Sequence, residues 1–323
     1  MTDGRLIRRA RSKRGFVLRD PRYCTHRLTP RSGCVPLPSM TRARHYVVAA
    51  GAVLIAALPS WAQGVDKSRY SVFNPTPREL WRPLSADRPD ITESPVTVDA
   101  GAIQLEASFF EYAHDSANDD AETTDSLALA FSNIKIGLLN NVDLQILFAP
   151  YVREESRPDA AGRTTVADGP SDVTVRLKVN FWGNDGGRTA LGVLPFVKIP
   201  TGSQVSNDHV EGGVALPFAW DITEGASLGV MLELDVLYSE ETGDHDFGFL
   251  HTVVLGVDLL GPVGGYVEYV GNALFDGSDY EALASFGLTY ELTENAVLDA
   301  GALIGLTRAA TDVAVFTGIT LRF

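Results

Sequence analysis

Arg176 and Lys178 stand two residues apart in SDVTVRLKVNF, and Glu233 and Asp235 stand two apart in LGVMLELDVLY. That spacing puts both charges of a pair on one face of an extended chain, because successive side chains of a strand point to opposite sides. The residues between them are apolar, so each segment carries one charged face and one apolar face. The same phase, followed from segment to segment, collects Gln104, Glu106, Lys135, Asp143, Gln145, Lys198, Asp258, Glu268, Asn272, Asp299 and Arg322. Charges of both signs on one face of a sheet have two uses. They can line a conduit and filter solutes by their opposed fields, or they can pair and hold an interior together. Both readings stand at this level.

Other chemistries find less support. Beyond residue 62 the histidines are His114, His209, His245 and His251, of which only the last two are near each other in sequence, six residues apart. The acids Asp115, Asp119, Asp120, Glu122 and Asp125 lack the fixed spacing of a calcium loop and read as a solvated acidic loop. No metal and no cofactor is expected. Outer-membrane phospholipases use a His-x-Ser pair on a strand, but His251 is followed by Thr252 and Val253. Gly225 to Gly229, GASLG, has the letters of Gly-x-Ser-x-Gly, but it opens the predicted strand 226–239 and not a strand-to-helix elbow, and nucleotide-binding motifs are absent. A lipid-modifying enzyme is therefore the weakest reading, and no catalytic residue is assigned.

The elements that must position the charges are strands. Twelve segments of alternating polarity are predicted near 101–112, 124–138, 141–152, 171–182, 188–199, 212–222, 226–239, 247–260, 265–275, 280–291, 296–307 and 312–323. Their length suits a tilted membrane-spanning strand. Tight turns containing Asn or Gly, such as Asn140-Asn141, Glu224-Gly225 and Glu294-Asn295, follow the even strands. Longer links at 113–123, 153–170 and 200–211 follow strands one, three and five. An up-and-down sheet of this kind is a soluble sandwich or barrel, or a transmembrane barrel. Twelve strands enclose more room than side chains fill in a soluble barrel. An even count also returns both ends of the barrel to one side. The fold expected is all-β, an up-and-down antiparallel transmembrane barrel over residues 99–323. Aromatics at strand ends, Phe109, Phe110, Tyr112, Phe148, Tyr151, Phe181, Trp182, Trp220, Tyr238, Phe249, Tyr280 and Tyr290, suit the two membrane interfaces.

The chain of 323 residues has a formal net charge of −14, unevenly spread. Residues 1–62 hold 12 Lys and Arg against 2 Asp and Glu, and the remainder holds 15 against 39. An acidic body of this kind repels nucleic-acid phosphate. Arg42 and Arg44, the apolar run Tyr46 to Leu58, and Ser60-Trp61-Ala62 form the three parts of a secretory signal peptide. Residues 40–62 are expected to be that signal, cut after Ala62. Residues 1–39 are expected to be an extension upstream of the true start at Met40. Both cysteines, Cys24 and Cys34, fall in this head. No apolar run of about 20 residues follows it, so no membrane helix is expected in the body.

Residues 63–98 are rich in proline and carry DRPDITESP at 87–95, directly before the first strand. Pro89 stiffens the stretch, while Asp87, Arg88, Asp90, Thr92 and Glu93 give it charge and hydrogen-bonding groups. It could trail in the periplasm. It could also turn up into the lumen as a plug, with its charges meeting Arg176, Lys178 and inward acids. At the other end, VAVFTGITLRF resembles the C-terminal recognition signal of outer-membrane barrels, with Gly318, Leu321 and the terminal Phe323 in its places.

Leu84 to Glu106, LSADRPDITESPVTVDAGAIQLE, resembles the start of the outer-membrane proteins grouped as the MetA-pathway of phenol degradation family. Ser171 to Gly183, Leu191 to Gly202, and Asn133 to Tyr151 are similar to the same family. The resemblance implies a transporter or channel in the bacterial outer membrane for passive uptake of small molecules, including hydrophobic or aromatic compounds. It brings no catalytic residues. The alternative is a closed-lumen structural or surface-interaction protein. Expected partners are the lipid bilayer with its lipopolysaccharide, the outer-membrane barrel-assembly machinery and small solutes.

Overall fold

The computed structural model describes residues 66–116, 122–158, 162–239, 243–275 and 280–323. The expected extension and signal peptide lie outside the described residues. Fifteen strand segments occur among them: β1 (Ile103–Asp115), β2 (Glu122–Leu129), β3 (Ser132–Leu139), β4 (Val142–Phe148), β5 (Tyr151–Pro158), β6 (Thr165–Gly169), β7 (Val173–Trp182), β8 (Thr189–Ile199), β9 (Glu211–Thr223), β10 (Ala226–Ser239), β11 (Asp244–Leu260), β12 (Val263–Leu274), β13 (Glu281–Thr293), β14 (Ala296–Gly305) and β15 (Val313–Arg322). β2 and β3, β4 and β5, and β6 and β7 are each one strand line with a short interruption, so the segments form twelve barrel strands. Every pairing is antiparallel. β15 returns to β1, from Gln104↔Arg322 to His114↔Val313, and the sheet closes. The last residue seals the seam: Phe323 N donates to the Ile103 carbonyl at 2.8 Å.

Burial along the strands is inverted relative to a soluble protein. On β10, Leu232, Leu234 and Val236 are 47%, 52% and 40% exposed, whereas Glu233 and Asp235 between them are each 1% exposed. Apolar residues face outward and charged ones inward, the arrangement a bilayer demands of a closed sheet. Phe109, Phe110, Tyr112, Trp220, Tyr280 and Tyr290 are exposed on the outer surface.

Two expected links are shorter than their sequence suggests. The strand predicted to end at 152 continues through β5 to Pro158, and β6 begins the return at Thr165. The link 113–123 likewise contracts, because β1 runs to Asp115 and β2 starts at Glu122. Here the outward face is polar: Arg157 bonds Glu155 at 3.0 Å and also pairs with Asp125. These extensions lack the apolar face that marks the membrane-spanning parts, which is why alternation alone misses them. The link 200–210 folds over the barrel mouth, with Val205, Ser206 and Asn207 buried.

Candidate lumen site

The proline-rich segment lies against the inner wall. Val72 N bonds the Leu138 carbonyl at 2.8 Å, and Gly101 N bonds the Gly137 carbonyl at 2.8 Å. Gly137 is a close-approach position: a Cβ there would stand 2.0 Å from the Asp99 carbonyl oxygen. At the open end of the barrel that holds the tight turns, Arg82 hydrogen-bonds Asp185 at 3.0 Å and the Thr97 carbonyl at 3.1 Å, and also bonds Asn140. Lys67 reaches Asp185 at 2.9 Å. Burial alone would push the Asp185 carboxyl up. The Asn140 hydrogen bond and the Arg82 and Lys67 cations outweigh it and hold the group below its ordinary value.

The stretch 87–95 sits deeper. Asp87 meets Lys135 at 2.5 Å and Lys178 at 2.8 Å, and its backbone N–H donates to Glu106 at 3.1 Å. Glu106 also pairs with Lys135 and accepts from Gln104 at 2.8 Å. Glu93 meets Arg176 at 2.5 Å. Across the lumen, Arg88 bonds Asp299 at 2.7 Å and approaches Glu111 at 3.4 Å. Glu268 accepts from the Ile91 and Thr92 backbone N–H groups at 3.0 and 2.8 Å and from the Thr92 hydroxyl at 2.7 Å. Pro89 offers its carbonyl to the Tyr266 hydroxyl at 3.4 Å. Asp143 accepts from Val98 N and from Gln145, both at 3.0 Å. A buried cation is costly unless paired and hydrogen-bonded. The carboxylates of the N-terminal segment supply much of what Lys135, Arg176 and Lys178 require.

The remaining residues singled out in sequence occupy other parts of the wall and the segment. Lys198 pairs with Glu211 at 2.6 Å and Asp172 at 3.2 Å, near the mouth. Glu233, Asp235 and Asn272 are buried on the inner wall. Asp258 and Asp90 line a cavity of about 810 Å³ between the segment and the wall of β9 to β13. Asp258 and Arg322 line a second of about 630 Å³. Arg322 donates to the Arg82 carbonyl at 2.8 Å and lies over the Trp81 ring. Gly318 faces inward beneath the Arg88 guanidinium, where a Cβ would stand 2.5 Å from Nη2. Leu321 pairs with Leu105 and Ala296, and Phe323 is exposed at the barrel rim.

The histidines stay dispersed. His114 bonds Asp125 at 2.8 Å, His209 stacks on Tyr238, His245 bonds the Val210 carbonyl, and His251 bonds Tyr280 on the outer surface. Among the described residues no group of three or more His, Cys, Asp or Glu could hold a metal. Asp119 and Asp120 of the acidic loop lie outside the described residues.

One feature of the lumen escapes the sequence reading. Met231, Leu250, Val270, Leu283 and Leu303 project inward from five successive strands and form an apolar cluster with Ala113, Ala128, Val152, Leu194 and Ala215. Ile91 of the N-terminal segment, Val205 and Ala310 join it. Met231, Leu250, Val270 and Leu303 share the phase of the charged residues on their strands, where an apolar side chain reads as a lapse in alternation.

A closed sheet with an apolar exterior and a charged interior defines an outer-membrane β-barrel of the porin and channel class, and its place is the bacterial outer membrane. A model of the MetA-pathway of phenol degradation family matches residues 86–323, and the chain belongs to that family. No curated protein matches it. Among solved structures, an outer membrane channel from Pseudomonas putida F1 is 10% identical, with a TM-score of 0.54 over 74% of this chain and 100% of that one. That likeness shows the fold. The beta domain of a Bordetella autotransporter is 11% identical, with a TM-score of 0.45 over 69% of this chain and 99% of that one. The porin NanC is 9% identical, with a TM-score of 0.43 over 68% and 98%.

Proposed function

We propose that the protein passes small apolar or aromatic molecules across the outer membrane without energy input, and that residues 63–98 act as its plug. The apolar cluster of Met231, Leu250, Val270, Leu283 and Leu303 carries this reading. A hydrophilic pore has no use for a band that repels water, whereas an apolar solute gains about 25 cal/mol for each Å² it buries there. The network around Asp87, Arg88, Thr92 and Glu93 then closes the half of the lumen nearer the tight turns. Lipopolysaccharide around the barrel and the barrel-assembly machinery, the latter reading Gly318, Leu321 and Phe323, are the proposed partners.

A closed-lumen structural or surface-interaction role is favoured by a different observation: Met231, Leu250 and Val270 are fully buried as the chain stands. Planar-bilayer recordings and liposome swelling of the purified protein separate the two. The channel reading expects permeability that rises when residues 63–98 are deleted. An intact barrel that stays impermeable with and without that segment would leave the structural role.

A further inference from the structure

We infer that the outward face of β1, β2 and β5 at the loop end of the barrel docks the phosphorylated sugar headgroup of an outer-leaflet lipopolysaccharide, with Arg153 and Arg157 as its anion holders. This deepens the lipopolysaccharide partnership proposed above by giving it a place on the wall.

The placement of cations on the strands points there. Among the described strands, Lys135, Arg176, Lys178 and Lys198 are buried on the inner wall, and Arg322 reaches the Arg82 carbonyl of the N-terminal segment. The remaining strand cations, Arg153 and Arg157, both lie on β5 and face outward. They alternate with Val152, Glu154 and Ser156, which are buried on the lumen side.

A charge on the outer wall is costly inside the hydrocarbon band, and these stand beyond it. β5 continues the strand line that leaves the tight turn Asn140-Asn141, so Pro158 marks the loop end. Long loops lie on the outer side of such barrels. The apolar outer surface on this arc runs through Phe110, Tyr112 and Leu129. Leu129 pairs with Tyr151. Toward the loop end, the next outward residues are Arg153, Glu155 and Arg157 on β5, with Leu127 and then Asp125 on β2. At about 3.3 Å per residue, Arg153 stands ~7 Å past Tyr151 and Arg157 ~13 Å further. A phospholipid headgroup layer is about 5–8 Å deep, too thin to meet both. A glycolipid that carries its phosphates on sugar rings reaches across that span. On β10 and β11 the loop end stays apolar: Val236 pairs with Phe247, and both are exposed.

Local bonding leaves the arginines available. Asp125 accepts from the Tyr112 hydroxyl at 2.6 Å, meets His114 at 2.8 Å and also pairs with Arg157. Glu155 meets Arg157 at 3.0 Å and Arg153 at 3.4 Å. The Asp125 side chain is 20% exposed, whereas those of Arg153 and Arg157 are 45% and 43% exposed. A guanidinium carries five N–H donors in a fork that matches two phosphate oxygens. The carboxylates steady the two forks, and donors remain for an external anion. Exposed Phe109, Phe110 and Leu129 lie on the membrane side of the patch, where acyl chains of the same lipid would rest.

The test titrates the purified protein with bisphosphorylated lipid A and counts bound lipid by native mass spectrometry. The same lipid stripped of its phosphates is the control. The native protein should bind the phosphorylated form roughly tenfold more tightly. Arg153→Gln/Arg157→Gln should lose that preference, and Arg153→Lys/Arg157→Lys should recover part of it. Arg188→Gln, beside the tight turns at the opposite rim, should change nothing. Folding of each variant is checked by altered gel migration of the unboiled sample. If the native protein prefers the phosphorylated lipid and the double glutamine variant does so equally, the site is wrong and the partnership stands. No preference in the native protein overturns both. Loss of a protein dimer in the double variant, with lipid binding unchanged, would assign this face to contact between copies and overturn the site.

Discussion

Asp87 stands between two lysines and next to a third charge, Glu106, which shares Lys135 with it. All four side chains are buried. Replacing Asp87 with asparagine removes the countercharge that bridges the two lysines, leaving Lys135 with Glu106 and Lys178 with the more distant Glu93 at 3.8 Å. Breaking a buried ion pair in this way costs about 3–5 kcal/mol. Asp87→Asn is therefore expected to unfold at lower denaturant than the native protein, and its N-terminal segment to be cut faster by protease. Unchanged protection of the segment would show that backbone contacts alone hold it. Asp185, at the rim, gives a pH dependence. Its pKa is lowered in the fold, so its contribution is complete above the ordinary carboxylate value of about 4 and is lost as pH falls through the folded value. Protease access to residues 66–82 should rise in the native protein over that acid range. Asp185→Asn should show the increased access already at neutral pH, and the two should converge in acid.

At the level of elements, the wall and the segment it holds are fitted to each other. Gly137 on β3 lies under the Asp99 carbonyl, with no room for a methyl group. Gly137→Ala must push backbone away from backbone, and the hydrogen bonds from Gly101 and Val72 to β3 should weaken with it. The expected result is a closed barrel that still migrates as a folded species, with faster amide exchange at Val72 and Gly101. Native exchange rates at both positions would argue against this docking. The strand phases were legible because alternation is local: the observed β9 and β10 lie within a residue of the predicted 212–222 and 226–239. The apolar cluster was not legible, because Met231 or Leu250 in an inward position looks like a lapse in alternation. Nor were the rim contacts of Lys67 and Arg82 with Asp185, which join residues more than a hundred apart. The motif DRPDITESP carried its charge in plain sight, yet which wall residue meets which charge depends on how the closed sheet brings β3, β7, β12 and β14 around it.

For the whole molecule, the lumen holds two barriers one after the other along its axis. The charged network around residues 87–95 occupies one half, and the apolar cluster with the inward link 200–210 occupies the other. An ion meets a different obstacle in each: filled space and fixed charge in the first, loss of hydration in the second, since apolar constrictions exclude water. Resistances in series add, so removing one leaves the other in control. Deleting residues 63–98 should raise single-channel conductance, because the first obstacle goes. Leu250→Ser with Leu283→Ser should raise it less, because the N-terminal segment and its ion pairs remain. The two changes together should raise it by more than the sum of their separate gains. An additive result would mean that ions bypass one obstacle, as parallel paths would allow. On the proposed function the same variants order differently for an apolar solute: serines at 250 and 283 should slow its uptake while they speed the passage of ions.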